Sequence, residues 1–264
     1  MKWRCGLAGF LILSFALTAF AHDLYLQPVS FYLDSTDKTS VEMRLTENGF
    51  PGIPLKWRGN RSVQLKTSGP AGDSDIPNSE GINPQLKFDK PGTYQIGWQS
   101  KETYISIDPK TFNTYIKLEN YKDAIEKRRT AGNENTEGRE RYSRFIKTFV
   151  QVGTEKSDHF TKPLGFKIEI IPKQNPSGLH VGDELDVLVL FEGQPLASNR
   201  VMVTYDKYST TPEDYAQILE TDSSGNVRIK ITHSGLWLVR TNRMIALSGD
   251  QKADWESFWS NINV

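Results

Sequence analysis

Two distant stretches of the chain are written in one grammar, and that repetition constrains the fold more than any single element does. Leu86-Lys87-Phe88-Asp89-Lys90-Pro91-Gly92-Thr93-Tyr94-Gln95-Ile96 aligns with Ile229-Lys230-Ile231-Thr232-His233-Ser234-Gly235-Leu236-Trp237-Leu238-Val239. Each reads as a strand of alternating apolar residues, a tight turn closed by glycine, and a second alternating strand carrying an aromatic. Such hairpin grammar is that of immunoglobulin-like sandwiches. Upstream of each copy a comparable strand runs into Gly-x-Pro: Val41 to Leu45 before Gly49-Phe50-Pro51, and Leu185 to Leu190 before Gly193-Gln194-Pro195. The pattern predicts a mainly β chain of two immunoglobulin-like β-sandwich domains, over residues 22–107 and 159–264.

Residues 108–153 follow another period and read as a helical insertion that returns to a strand. Asp108-Pro109 supplies a side-chain acceptor at the N-cap and a proline at the first helical position, where its missing N–H costs nothing. Phe112, Tyr115, Ile116, Tyr121, Ala124 and Ile125 then fall at helical spacing and Gly132 closes the run, predicting a helix over 109–130. Tyr142, Phe145, Ile146 and Phe149 predict a second short helix that passes into a strand ending near Gly153, the two helices forming a hairpin on the first sandwich. Thr154 to Asp158 reads as the inter-domain linker. Near the C-terminus, Trp255, Phe258 and Trp259 have helical spacing ahead of a last short strand.

The chain opens with Lys2 and Arg4, an apolar run from Gly6 to Phe20, and the small-x-small triplet Ala19-Phe20-Ala21. This is the layout of a cleavable secretory signal over residues 1–21, which predicts an exported, periplasmic product. Cleavage after Ala21 makes His22 the first residue, so that a free α-amine and an imidazole sit on one backbone and together chelate a transition metal. Cleavage after Ala19 instead places the histidine third, where backbone amides and the ring surround copper(II) or nickel(II) in a plane. Either cut leaves His22 usable.

Composition narrows the chemistry. The only cysteine, Cys5, lies in the leader, so a metal site in the remainder is built from histidine, carboxylate, amine and backbone groups. Asp23 is a candidate oxygen ligand beside His22. Of the other histidines, His159 lies next to Asp158 in the linker and is the candidate second imidazole, while His180 and His233 fall in turns. The whole precursor balances 32 basic against 32 acidic residues, and loss of Lys2 and Arg4 leaves a net charge of −2. That balance gives no footprint for a nucleic-acid partner. No apolar run after residue 21 approaches the ~20 residues needed to span a bilayer.

Motifs for catalysis are absent: there is no Gly-x-Ser-x-Gly elbow, Walker loop, Rossmann glycine pattern or His-Glu-x-x-His. The alternation in Arg139-Glu140-Arg141-Tyr142-Ser143-Arg144 reads as a helix face laced with i,i+3 and i,i+4 pairs, or else as an anion site. Tyr94, Trp98 and Tyr104, and Trp255 and Trp259, read as core and seam aromatics, with a sugar platform as the alternative.

Several phrases taken in order resemble the NikM-like periplasmic family associated with nickel and cobalt uptake systems. They are His22-Asp23-Leu24-Tyr25-Leu26-Gln27-Pro28, Pro91-Gly92-Thr93-Tyr94, Phe112-Asn113-Thr114-Tyr115-Ile116, Gly138-Arg139-Glu140-Arg141-Tyr142-Ser143-Arg144, Pro163-Leu164-Gly165-Phe166-Lys167-Ile168-Glu169-Ile170-Ile171-Pro172, and Asp254-Trp255-Glu256-Ser257-Phe258-Trp259. Relatives often carry a histidine just before the methionine where this chain has Arg243. The resemblance implies an envelope protein with immunoglobulin-like domains that assists uptake of Ni²⁺ or Co²⁺. Together the readings predict a non-enzymatic, periplasmic metal-binding accessory protein for nickel or cobalt, with copper chemically acceptable, holding the ion through His22, Asp23 and His159 and passing it to an inner-membrane transporter. The alternative is a structural or partner-binding envelope module with no metal.

Overall fold

A computed structural model describes residues 23–47, 49–211 and 214–264; the leader over 1–21 and His22 lie outside the described residues. The first half runs β1 (Leu24–Pro28), β2 (Tyr32–Leu33), β3 (Lys38–Leu45), β4 (Ile53–Leu55), β5 (Ser62–Gly69), β6 (Gly72–Asp75), β7 (Gln85–Lys87), β8 (Gly92–Ser100) and β9 (Thr103–Ile107). Helices α1 (Pro109–Leu118) and α2 (Lys122–Thr130) and the long strand β10 (Gly138–Val152) follow. The second half runs β11 (Ile168–Pro172), β12 (Glu184–Phe191), β13 (Gln194–Pro195), β14 (Arg200–Tyr205), β15 (Gln217–Glu220), β16 (Asn226–Lys230), β17 (Trp237–Ala246) and β18 (Trp255–Asn263). The chain is mainly β, as its alternation predicts. Neither helix is long and apolar enough to cross a membrane.

The strands are hydrogen-bonded into one central sheet and two outer ones. The central sheet has ten strands, with the path β15-β14-β17-β18-β10-β8-β5-β6 and with β2 and β9 also on β10. One outer sheet holds β1, β3, β4 and β7, the other β11, β12, β13 and β16. Both halves therefore share a single sheet, joined where β10 lies parallel to β18 from Glu140 opposite Trp255 to Thr148 opposite Asn263.

The repeated phrases correspond in three dimensions, though not as hairpins. β7 pairs with β3 in an outer sheet while β8 enters the central sheet between β5 and β10; β16 likewise pairs with β12 while β17 enters between β14 and β18. Each copy is thus a corner at which the chain crosses from outer to central sheet. A sharp corner demands a left-handed backbone, and Gly92 (φ +135°) and Gly235 (φ +118°) supply it at matching positions.

Side-chain parity shows how the layers stack. Ile146, Val150 and Val152 of β10 join Leu26, Val41 and Met43 in a core under the first outer sheet. Phe149 of the same strand joins Ile170, Val187 and Ile229 under the second outer sheet, and Phe145 packs with Phe166 and Phe258. Because alternate residues of a strand point to opposite faces, the two outer sheets cover opposite faces of the central one. This corrects the predicted second helix: Tyr142, Phe145, Ile146 and Phe149 mimic a helical period because β10 is buried on both sides, where alternation is lost. Trp255, Phe258 and Trp259 mislead for the same reason, since all lie in strand β18. The helix expected over 109–130 is two helices, broken at Asn120 in the left-handed region (φ 59°).

A buried ion pair ties the second outer sheet to β10. Lys147 Nζ donates to Glu169 Oε1 at 2.9 Å with both side chains inaccessible, and Glu169 also accepts from the backbone N–H groups of Leu164 (2.7 Å) and Phe166 (3.3 Å). With three donors on it, one of them a cation, the carboxylate is tolerated in the interior.

Candidate functional site

Asp23, at the head of β1, is buried rather than free: its residue is 4% exposed. Its N–H donates to Thr46 Oγ1 at 2.7 Å and its carbonyl accepts from the Thr46 N–H at 3.0 Å, which pins the start of the strand to the end of β3. Its carboxylate accepts from the Tyr215 hydroxyl at 3.2 Å and faces Arg240 Nε at 3.4 Å. Burial pushes the Asp23 carboxyl up from the usual range, and the Arg240 guanidinium opposes that rise.

Arg240 is the centre of the cluster. It comes from β17, on the face that carries the helices, and its two terminal nitrogens donate to both oxygens of Glu119 at 2.8 and 3.2 Å. Its Nε donates to the Tyr215 hydroxyl at 2.6 Å, and its plane lies over the rings of Tyr215 (5.0 Å) and Trp259 (5.5 Å). Burial works against its charge, but Asp23 and Glu119 hold it protonated. Glu119 caps the C-terminus of α1 and also accepts from Asn242 Nδ2 at 2.6 Å. One cation between two buried carboxylates therefore ties the first strand, the helical pair and β17 together.

A third buried carboxyl lies on the same face. Glu140 of β10 is 1% exposed; its Oε1 accepts from Tyr115 of α1 at 3.2 Å and from the Ser257 hydroxyl of β18. Its Oε2 has no hydrogen-bond partner among the described residues. Burial raises its pKa to about 7, against the lowering effect of those hydrogen bonds. A carboxyl with that value suits acid–base chemistry, but a proton donor must reach its substrate, and this one is enclosed.

The structure does not bring Asp23 and His159 together. His159 sits on a short 3-10 turn (His159–Thr161) whose carbonyl accepts from Gln95 Nε2 at 2.8 Å. Gln95 points away from the core that holds its neighbours Tyr94 and Ile96, so His159 packs on the face of the central sheet opposite Asp23. One ion cannot be held by both. Among the described residues no group of three His, Cys, Asp or Glu side chains converges on a metal-sized site, and His22 lies outside those residues. His180 is exposed with its ring 3.6 Å from Asp183, and His233 stacks on Tyr205 at 4.1 Å.

The arginine-rich phrase lies in strand β10, paired with β9 on one side and β18 on the other, not on the helix face predicted. Arg139 grips Asp254 with two nitrogens at 2.9 and 2.5 Å, Arg141 meets Glu256 at 2.9 Å and Asp250 at 3.5 Å, and Arg144 lies over Tyr142 and Trp259. Arg139 and Arg141 are thus paired with carboxylates, and Arg144 is held against aromatic rings. Arg243, at the position where relatives often have histidine, reaches Asp123 of α2 at 3.6 Å. Arg240, Glu119 and Tyr215 were missed by sequence reasoning. The available signal was Arg240 itself, a charge between Val239 and Thr241 in a strand otherwise fit for a core.

Comparison with known proteins places the chain in a family without an assigned role. The family described as Domain of unknown function (DUF4198) matches residues 19–244, and the chain belongs to it. No curated protein matches. Among solved structures the chain is similar to the D0-D1 domain of Intimin, at 13% identity and TM-score 0.21, with 91% of this chain and 96% of that one covered. It is also similar to Salmonella alpha-2-macroglobulin reacted with methylamine (8%, TM-score 0.23, covering 92% of this chain and 15% of that one). A third likeness is to the fibronectin(III)-like modules of Clostridium thermocellum CbhA (8%, TM-score 0.20, 90% and 93% covered).

Proposed function

With a family of unassigned role as the premise, we propose that this is an exported, periplasmic, non-enzymatic protein that binds a divalent transition metal, nickel or cobalt with copper acceptable. The ion is held through the amine and imidazole of a processed N-terminal His22 and is passed to an inner-membrane transporter. The observation that carries the reading is the anchoring of Asp23. Its backbone, bonded to Thr46, and its carboxylate, bonded to Tyr215 and Arg240, fix the residue next to which His22 is covalently joined. Consecutive Cα atoms are about 3.8 Å apart, so in this reading the anchored Asp23 is the immediate neighbour of a chelate on His22. In this reading Asp23, its carboxylate engaged by Arg240, serves as anchor and leaves coordination to His22. His159, on the other face, is no part of this site.

The sequence resemblance to nickel and cobalt uptake proteins supports the choice of metal, and the absence of thiols downstream of Cys5 supports nitrogen ligation. Titration calorimetry of the processed protein with Ni²⁺, Co²⁺, Cu²⁺ and Zn²⁺ tests the proposal. Tight one-to-one binding is expected, weakening as pH falls because both donors must shed protons. One extra residue ahead of His22 abolishes the amine–imidazole pair; unchanged affinity in that variant overturns the reading. Capture of partners from envelope extracts with and without chelator then separates it from a metal-free binding module.

A further inference from the structure

Among the described residues Lys147 is the only buried lysine, and its surroundings serve an ammonium poorly. It lies on β10 between Phe145 and Phe149, on the face that the second outer sheet covers, with Ile262 of β18 opposite it in register. An ammonium carries three N–H donors and no acceptor. Its Nζ has one hydrogen-bond partner among the described residues, Glu169 Oε1 at 2.9 Å, so two donors are left over in the interior. Burial pulls the Lys147 pKa down and the Glu169 carboxylate opposes that fall, with no other charge acting on it. The free amine is the form that attacks carbonyl carbon.

The carboxyl is placed as an acyl group would be. The Phe166 N–H donates to Oε2 at 3.3 Å and the Leu164 N–H to Oε1 at 2.7 Å, so each oxygen is held by a fixed backbone donor. Donors of this kind stabilise charge that gathers on oxygen when a carbonyl carbon is attacked. A carbon–oxygen bond of about 1.23 Å puts Glu169 Cδ within about 4.1 Å of Nζ. Both side chains are inaccessible, at 0% and 1% exposure, so amine and acyl carbon are confined together. Confinement of two reactants removes the entropic part of their barrier.

We propose that Lys147 and Glu169 condense into an intramolecular amide that cross-links β10 to β11. The atoms balance within the pair. The ammonium first passes a proton to Oε1, giving an amine and a carboxylic acid, the uncharged pair that a buried site favours. The Nζ lone pair then forms a bond to Cδ while negative charge collects on Oε2 against the Phe166 N–H. A second proton moves from Nζ to Oε1, the Cδ–Oε1 bond breaks with its electron pair on oxygen, and water departs as the carbonyl re-forms at Oε2. No oxidant, metal or co-reactant enters. The product removes two buried charges and two unserved N–H donors at once, and its carbonyl keeps the Phe166 donor. The cross-link is independent of the His22 chelate and stands whether or not a metal binds.

Intact-mass and peptide mass spectrometry of the full processed protein, denatured after purification, test it. The chain is expected to weigh one water, about 18 Da, less than its sequence. Trypsin requires a free lysine, so the digest should contain residues 145–156 uncut at Lys147 and joined to residues 168–173 through Glu169. Lys147→Arg keeps the positive charge on a guanidinium that stays protonated and does not acylate; it should show the full mass of its own sequence. Should that variant fail to fold, the digest of the unaltered protein decides alone. A folded protein of full mass, recovery of 145–147 and 168–173 as separate peptides, or a lost water that maps to other residues overturns the proposal.

Discussion

Replacing Glu140 by glutamine removes a titrating group and preserves its shape and its acceptor for Tyr115 and Ser257. In the folded protein the Glu140 carboxyl has a pKa of about 7 against an ordinary value of 4.5, with burial as the main cause. The sign follows from proton binding: between those values the unfolded chain has released the proton and the folded chain still holds it. Stability therefore falls as pH rises from about 4.5 to 7 and is level above that window. A shift of that size at ~1.4 kcal/mol per unit makes the ionised carboxylate cost about 3 kcal/mol at pH 8. In Glu140→Gln the cost vanishes, and the new amide N–H₂ replaces an oxygen that lacks a partner. Urea unfolding of both proteins at pH 5, 6, 7 and 8 reads the difference, in which every other titrating group, Asp23 included, cancels. The variant should gain about 2.5 kcal/mol on its parent between pH 5 and pH 8. A gain under ~1 kcal/mol, or one in the opposite direction, refutes the placement of Glu140 as a desolvated carboxyl beneath α1.

Arg240→Met leaves Asp23 and Glu119 as unpaired buried carboxylates; it should cost about 3–5 kcal/mol in calorimetric melting, and Glu119→Gln added to it should recover part of that loss. Gly92→Ala and Gly235→Ala should each cost more than ~1 kcal/mol, because both sites have positive φ and a Cβ there comes within 2.4 Å of Pro70 Cγ and Asp206 Oδ1 respectively. Gly182→Ala, with positive φ but nothing within 4 Å, should cost less, and equal losses at all three would show that the corners are not sterically closed.

What the sequence disclosed is local, and what it withheld is pairing. Alternation in β3 and β12 is genuine, because each has one apolar face on a core, and the glycines closing the repeated turns stand where a left-handed backbone is required. Alternation says nothing of which sheet a strand joins, so two corners between sheets read as hairpins. β10 and β18 defeat the period altogether, since Phe145 and Ile146, or Phe258 and Trp259, are apolar on successive residues that enter different cores. At the site, Asp23 was legible as a residue of interest but not its partners: Tyr215 and Arg240 lie 192 and 217 positions along the chain from it, and only the fold makes them neighbours. The assignment of His159 failed for the matching reason, as proximity to Asp158 in sequence carries no information about which face of the sheet the pair occupies.

The helical insertion follows from the way the halves are joined. Parallel pairing of β10 with β18, with the outer sheets on opposite faces, is the arrangement produced by a half-turn about an axis lying along those two strands. Such a join leaves each half of the central sheet covered on one face and bare on the other, and a sheet buried in the middle of a molecule needs both faces filled. On the second half the bare face carries Met244, Trp255 and Trp259, and the side chains that cover it are Phe112, Tyr115 and Ile116 of α1 with Tyr121 and Ala124. On the first half the bare face lies under Leu164 and Phe166 of the segment leading into β11, close enough that a Cβ on Gly97 would meet both. The two covers are unrelated in sequence because the repeat supplies neither. The Asp23–Arg240–Glu119 cluster lies where the first outer sheet ends and the helices begin, so the charge that locks the chain's start also locks the cover that the shared sheet requires.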